Sequence, residues 1–205
     1  MKLGTTSWLF PGTYLENVKV IADKVDFVEF LVFSWDTNTK NIFLNEIEDL
    51  KEIAEEFNLE YNVHLPTDCI FNVEKAFCFF ENSRLEISNY IVHPLDGIEV
   101  FLKKSEKILV ENLKEDIFLH DRTVFDIGHH LLGTKVTENF LKNSIEYHVM
   151  GVSNGKDHLK LDKDTLEVIR KKLKYSPNLE YVCFEVFDLR DFLHSLTLWR
   201  DSFDL

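Results

Sequence analysis

Eight side chains able to ligate a metal ion fall in order at the ends of short apolar runs. They are His64 (YNVHLP), His93 (YIVHPLD), Glu111 (ILVEN), Asp126 and His129 (VFDIGHH), His148 (EYHVMG), His158 (GKDHLKL) and Glu185 (CFEVF). Imidazole and carboxylate together suit Zn, Mn, Fe and similar divalent ions. One histidine at a strand end is usually a hydrogen-bonded structural residue, but that does not account for eight such placements in succession. Five histidines and three carboxylates exceed the needs of one four-coordinate ion. The expectation is therefore two or three divalent ions with a bridging carboxylate such as Glu111. Such a cluster lowers the pKa of water and either clamps a phosphoryl group or polarises a carbonyl. Glu111 and Glu185 sit within apolar runs, where a buried carboxylate needs a cation or several donors.

Residues this far apart meet only if the chain repeatedly delivers strand ends to one place. Short apolar segments alternate with charged amphipathic ones throughout. Strands are expected at residues 2–9, 25–33, 59–65, 87–93, 107–113, 123–126, 145–149 and 180–187. Helical segments are expected at 14–24, 45–58, 73–82, 97–104, 137–143, 164–175 and 189–199. The clearest, NEIEDLKEIAEEFN, places Ile47, Leu50, Ile53, Ala54 and Phe57 on one face. Strands apolar almost throughout are those covered on both sides, as in a parallel sheet. Eight is the barrel number, and a barrel opens all its C-terminal strand ends on one face. The expected fold is a compact (β/α)8 TIM barrel forming one domain over residues 1–205. At 205 residues it is shorter than the typical ~250. Some helices must be reduced to turns, and the stretches near Asp96 and Asp116 are the places.

Further candidates carry less. Glu29 lies inside VEFLVF and reads as a supporting or barrel-bottom carboxylate. His130 adjoins His129, and only one of two neighbours usually faces inward. His120 and His194 read as surface residues. Trp8, Phe10, Phe33 and Trp35 follow the first two strands and default to core packing, although at a barrel mouth they can stack on a planar ligand. No GxGxxG or GxxxxGK[ST] phosphate loop is present.

The net charge of -13 repels duplex nucleic acid and anionic membranes. No apolar stretch approaches the roughly 20 residues of a membrane span. MKLGTTSWLF lacks the apolar core of a signal peptide. Cys69, Cys78 and Cys183 are too few and scattered for a disulfide framework. The expected compartment is the cytoplasm.

The series VHLP, VHP, VEN, DxxH, a strand-seven His and a following DH resembles the xylose-isomerase-like barrel superfamily, which includes endonuclease IV and many sugar isomerases and epimerases. The resemblance covers nearly the whole chain. It implies metal-ligand roles for His64, His93, Glu111, Asp126, His129, His148, His158 and Glu185. In the endonuclease IV branch an Asp-x-His is expected where this chain reads Lys156-Asp157-His158, so one metal position is in question. The loop wording (GTTSW, VHLPTD, DIGHHL and HVMGVSNGKDHLKL) is most similar to the cobamide-remodelling phosphodiesterases. That likeness implies hydrolysis of the phosphoester that joins α-ribazole to the corrinoid nucleotide loop.

The leading expectation is a metal-dependent phosphodiesterase acting on a small organic phosphoester, with Glu111, Glu185 and Lys156 as catalytic residues and Lys156 meeting a phosphate. The alternative is a sugar isomerase or epimerase with one ion, in which Glu111 and Glu185 shuttle a proton. Abasic-site cleavage needs a basic track that a chain of this charge lacks.

Overall fold

A computed structural model describes residues 1–203. Eight parallel strands close into a barrel in the order β1-β10-β7-β6-β5-β4-β3-β2. These are β1 (Lys2–Thr6), β2 (Phe27–Leu31), β3 (Glu60–His64), β4 (Ile87–Val92), β5 (Ile108–Glu111), β6 (Thr123–Asp126), β7 (Ser144–Val149) and β10 (Tyr181–Phe184). The remaining two, β8 (Gly151–Ser153) and β9 (Lys156–Leu159), form a separate antiparallel hairpin.

The helices are α1 (Tyr14–Ile21), α2 (Thr37–Phe57), α3 (Ile70–Glu81), α4 (Ile98–Phe101), α5 (Ile127–Leu132), α6 (Glu138–Lys142), α7 (Lys163–Leu173) and α8 (Leu189–Phe203). A capping box between Thr13 and Glu16 starts α1. Asp36 caps α2, and Asn58 ends it in a left-handed conformation (φ 51°). Asp162 caps α7. The shortening falls where the chain length demands it. Between β4 and β5 stand only α4 and the 3-10 turn Leu102–Lys104, and no helix separates β5 from β6.

Three segments depart from expectation. Helix α2 begins at Thr37, eight residues before the expected start. Its first turns are polar and weakly helix-forming, but the Asp36 cap and the buried Phe43 anchor them. Helix α5 occupies what reads as a loop. The segment after β7 is the β8–β9 hairpin, turned at Asn154 (φ 53°) and Gly155 (φ 74°), which matches the positive-φ pair of a two-residue hairpin loop.

The larger core lies between sheet and helices, where Phe30, Phe43, Phe80, Phe101, Phe184 and Trp199 are fully buried. A smaller apolar cluster of Phe27, Ile91, Leu109, Val124, Ile145, Tyr181 and Cys183 lies apart from it, on strands alone. Alternation along the strands puts this cluster inside the barrel together with Glu29, Asn62, Asn89 and Glu146, except on β7, where a register shift opposite Thr123/Val124 interrupts the alternation between Ile145 and Glu146. Among the described residues no helix is long and apolar enough to cross a membrane.

Candidate metal centre

Because the barrel strands are parallel, their C-terminal ends share one rim. His64 ends β3, Glu111 ends β5 and Asp126 ends β6, while His93 and Glu185 directly follow β4 and β10. His148 lies one residue before the end of β7. His129 is the third residue of α5, and His158 reaches the rim from the hairpin strand β9.

Glu111 is the hub. Its Oε2 lies 3.0 Å from His64 Nε2 and 3.2 Å from His93 Nε2. Its Oε1 lies 3.3 Å from His129 Nδ1 and 3.7 Å from His148 Nδ1. One buried carboxylate is thus ringed by four imidazoles. His148 Nδ1 is also 3.3 Å from Glu185 Oε2 and 4.0 Å from Asp126 Oδ2. His158 stands at the edge of the group. Its Nδ1 is 3.1 Å from the Glu185 carbonyl and 3.9 Å from the Glu185 carboxylate, and its ring stacks on Phe187.

Local structure aims these groups. Asp126 is the N-cap of α5, so its Oδ1 accepts from the His129 N–H while Oδ2 stays free. His64 Nδ1 lies 3.1 Å from the Leu65 carbonyl, which turns Nε2 toward Glu111. His129 Nδ1 donates to the Asn112 carbonyl at 2.8 Å.

The electrostatics follow from burial and crowding. Burial pushes the Glu111 carboxyl upward, but the surrounding imidazoles of His129, His148, His64 and His93 outweigh it and hold the group well below the usual carboxylate range. Burial raises Asp126 well above that range, with Glu111 and Glu185 adding to the rise against His129. Burial acts to lower His129, yet Glu111 and Asp126 lift it to about 10. His148 is likewise raised against burial by Glu29, Glu111 and Glu185. Burial pushes Glu185 up, and its contacts with His148 more than reverse that.

The residues fit a metal. His64, His93 and Glu111 form one group of ligand atoms within 4.8 Å of one another. Glu111, Asp126, His148 and Glu185 form a second. Asp126 Oδ2, Glu185 Oε2 and His148 Nδ1 are buried and have no hydrogen-bond partner among the described residues. Buried polar atoms normally have partners, and a divalent cation supplies one to all three.

The structure places the remaining candidates as follows. His130 faces away from the site: its Nδ1 accepts from the Val136 N–H, its ring packs on Phe125, and burial lowers its pKa to about 4. His194 is exposed on α8 and His120 half-buried between β5 and β6. Lys156 is exposed at the start of β9, and no ion pair of the Glu111 cluster includes it. Its neighbour Asp157 pairs with Lys114 at 2.6 Å. The aromatic group divides. Trp35 packs on Phe79 and Phe80. Trp8 (47 % exposed) meets Phe33 (41 %) edge-on and lies 6.4 Å from Phe187. With Phe10 and Gly12, Trp8 and Phe187 line an open cavity of about 400 Å³ beside His158.

Sequence reasoning missed Glu146, which is fully buried and lies 3.9 Å from His148 Nε2. The signal was its spacing: Glu146 and His148 are two apart on one strand and must face the same way. Glu29, read as supporting, is closer still, with Oε1 3.4 Å from the same nitrogen.

Solved structures share this architecture. The IolI protein, crystallised with a zinc atom, superposes with a TM-score of 0.69 at 14% identity, over 98% of this chain and 97% of that one. A xylose isomerase domain containing protein from Salmonella typhimurium gives 0.63 at 11% identity, covering 98% and 96%. SacUVDE gives 0.62 at 12% identity, covering all of both chains. The fold is the (β/α)8 TIM barrel that these proteins share. At these identities the likeness shows the fold alone. No protein-family profile and no curated protein sequence matches the chain.

Proposed function

We propose that this protein is a divalent-metal-dependent hydrolase that cleaves a phosphoester of a small organic substrate. One observation carries the reading: two adjacent ligand groups share Glu111, each of whose oxygens is approached by two imidazoles. A carboxylate shared in this way suits a pair of ions, and paired ions suit phosphoryl transfer. The zinc atom of IolI makes zinc the first metal to try.

His64 and His93 would hold one ion, with Asp126, His148 and Glu185 holding the other and Glu111 lying between. His129 and His158 would complete the set. Bound, the ions activate water and withdraw charge from the phosphoryl oxygens. The chain's own part is to fix the ligands and to exclude competing water. The Asp126 cap and the imidazole contacts of Glu111 do the fixing. Asp126 Oδ2 and Glu185 Oε2, without hydrogen-bond partners among the described residues, are the atoms free to ligate. Lys156, exposed on the hairpin, is available to a substrate phosphate. The aromatic shelf of Trp8, Phe33 and Phe187 suits a planar ring, as in the finer reading of a cobamide nucleotide loop releasing α-ribazole.

The second reading is a sugar isomerase or epimerase. It draws on the group Glu111, Asp126, His148 and Glu185, which can hold a single ion by itself. Metal stoichiometry separates the two. Elemental analysis of Glu29→Gln protein, which keeps every rim ligand and so counts the rim alone, should give at least two ions per chain. Zinc-loaded protein should hydrolyse bis-p-nitrophenyl phosphate or cleave adenosylcobalamin, and His64→Ala should not. One ion per chain with no ester turnover would overturn the hydrolase in favour of the isomerase.

A further inference from the structure

Below the rim, His148 turns its second nitrogen into the barrel. Nε2 lies 3.4 Å from Glu29 Oε1 and 3.9 Å from Glu146 Oε1. Cys183 on β10 completes a group whose four ligand atoms lie within 4.8 Å of one another. All four residues are fully buried.

The polar atoms here are aimed and unpaired. Asn62 donates to Glu146 Oε2 at 2.9 Å and so leaves Oε1 facing the group. Both Glu29 oxygens, Glu146 Oε1 and His148 Nε2 have no hydrogen-bond partner among the described residues. No lysine or arginine pairs with either carboxylate among those residues. The positive charge nearest along the hydrogen bonds is Arg122. It donates to Asn89 at 3.2 Å, Asn89 donates to Asn62, and only Asn62 reaches Glu146. Two carboxylates in such surroundings need a cation or a proton.

We propose that Glu29, Glu146, Cys183 and His148 Nε2 form a second divalent-cation site inside the barrel, separate from the rim centre. Two carboxylates, a thiolate and an imidazole make a closed four-ligand set with no position left for water, as structural sites have. Zinc, ferrous iron and cobalt suit those donors. Loading displaces the thiol proton of Cys183. His148 would offer Nε2 to this site and Nδ1 to the rim, and holding ions at both would require loss of its ring proton. The site is sealed, so it stiffens the barrel under the reacting centre and takes no part in turnover. Its existence does not depend on which reaction the rim performs.

The test uses the full chain with Cys69 and Cys78 replaced by serine, produced in cobalt-supplemented medium. A thiolate-to-cobalt charge-transfer band should appear in the near ultraviolet. It should vanish in Cys183→Ser and persist in His64→Ala, which perturbs only the rim. Glu29→Gln should hold one cobalt fewer per chain. Cobalt-loaded parent protein without the band would overturn the proposal, and that result needs no variant to fold. So would a neutral-carboxyl infrared stretch in the parent that disappears in Glu29→Gln. That stretch would mean one proton shared between Glu29 and Glu146 in place of the ion.

Discussion

Asn112 and Asp126 hold each other by two hydrogen bonds across neighbouring strand ends. The Asn112 amide donates to the Asp126 carbonyl at 3.1 Å, and the Asp126 N–H donates to Asn112 Oδ1 at 2.9 Å. The Asn112 carbonyl in turn accepts from His129. This one residue positions a carboxylate and an imidazole without touching the metal itself. Asn112→Ala leaves a buried N–H unpaired, so stability should fall by about 1–3 kcal/mol in urea titration. Zinc affinity, read by competition with a chelating dye, should fall roughly 10–100-fold. Unchanged affinity would remove Asp126 from the ligand set.

Glu111→Gln keeps the size of the hub and deletes its charge. Four imidazoles then face a neutral amide, and the two ligand groups lose the anion they share. Ester hydrolysis should fall by at least about 100-fold, a loss of some 2.7 kcal/mol of transition-state stabilisation. The protein should remain folded, because Glu111 lies at the mouth rather than in the Phe-rich core. Activity within a few-fold of the parent would rule out Glu111 as a bridge.

The sequence made the barrel and the rim legible because both rest on simple periodicities. Apolar runs ending in His, Glu or Asp mark strand ends, and parallel closure brings those ends together. The hairpin was equally written in the chain. Asn154-Gly155 is a strong turn pair, but the short flanks VS and KDHL carry no apolar alternation to announce strands. Helix α5 was hidden because Asp126 reads first as a ligand and only second as a cap. Glu146 is hard to see in EYH because a glutamate in a strand reads as solvated unless its spacing of two from His148 is weighed. The inner cluster depends on which residues share a level of the barrel, and strand stagger sets that rather than local pattern.

The aromatic shelf predicts a split in the kinetics. Trp8 is nearly half exposed and touches Phe33, while Phe187 carries His158 on its face. If planar substrates stack there, Trp8→Ala should raise KM for aryl phosphoesters about 5–10-fold, or 1–1.4 kcal/mol. It should leave kcat near its parent value and methyl esters unaffected. Equal losses for aryl and methyl esters would show that Trp8 only supports the rim.

Phe43 ties the long helix α2 to the barrel. It stacks on Tyr14 at 4.1 Å and meets Phe30 and Phe80 edge-on. It is fully buried. Phe43→Ala should cost ~3–5 kcal/mol in denaturant unfolding, through lost contact and the cavity left behind. A cost under about 1 kcal/mol would mean that the early turns of α2 are not anchored there.

The opposite end of the barrel should respond to pH in a defined window. Lys2 pairs with Glu60, which also accepts from Tyr181 at 2.9 Å and Ser88 at 3.1 Å. Burial acts to raise Glu60, but Lys2, Tyr181 and Ser88 bring it below its ordinary 4.5. Burial acts to lower Lys2, but Glu60 and Tyr181 bring it above 10.5. A depressed carboxylate contributes stability above 4.5 and loses it as pH falls through the lower folded value. A raised ammonium contributes below 10.5 and loses it as pH rises through the higher folded value. The gap in unfolding free energy between the parent and Lys2→Met should therefore be flat from about pH 5 to 10 and close at both extremes. Lys2 is 42% exposed, so solvent screening keeps the plateau at roughly 0.5–1 kcal/mol. A gap that survives undiminished in acid would mean that Lys2 stabilises the barrel floor by packing alone.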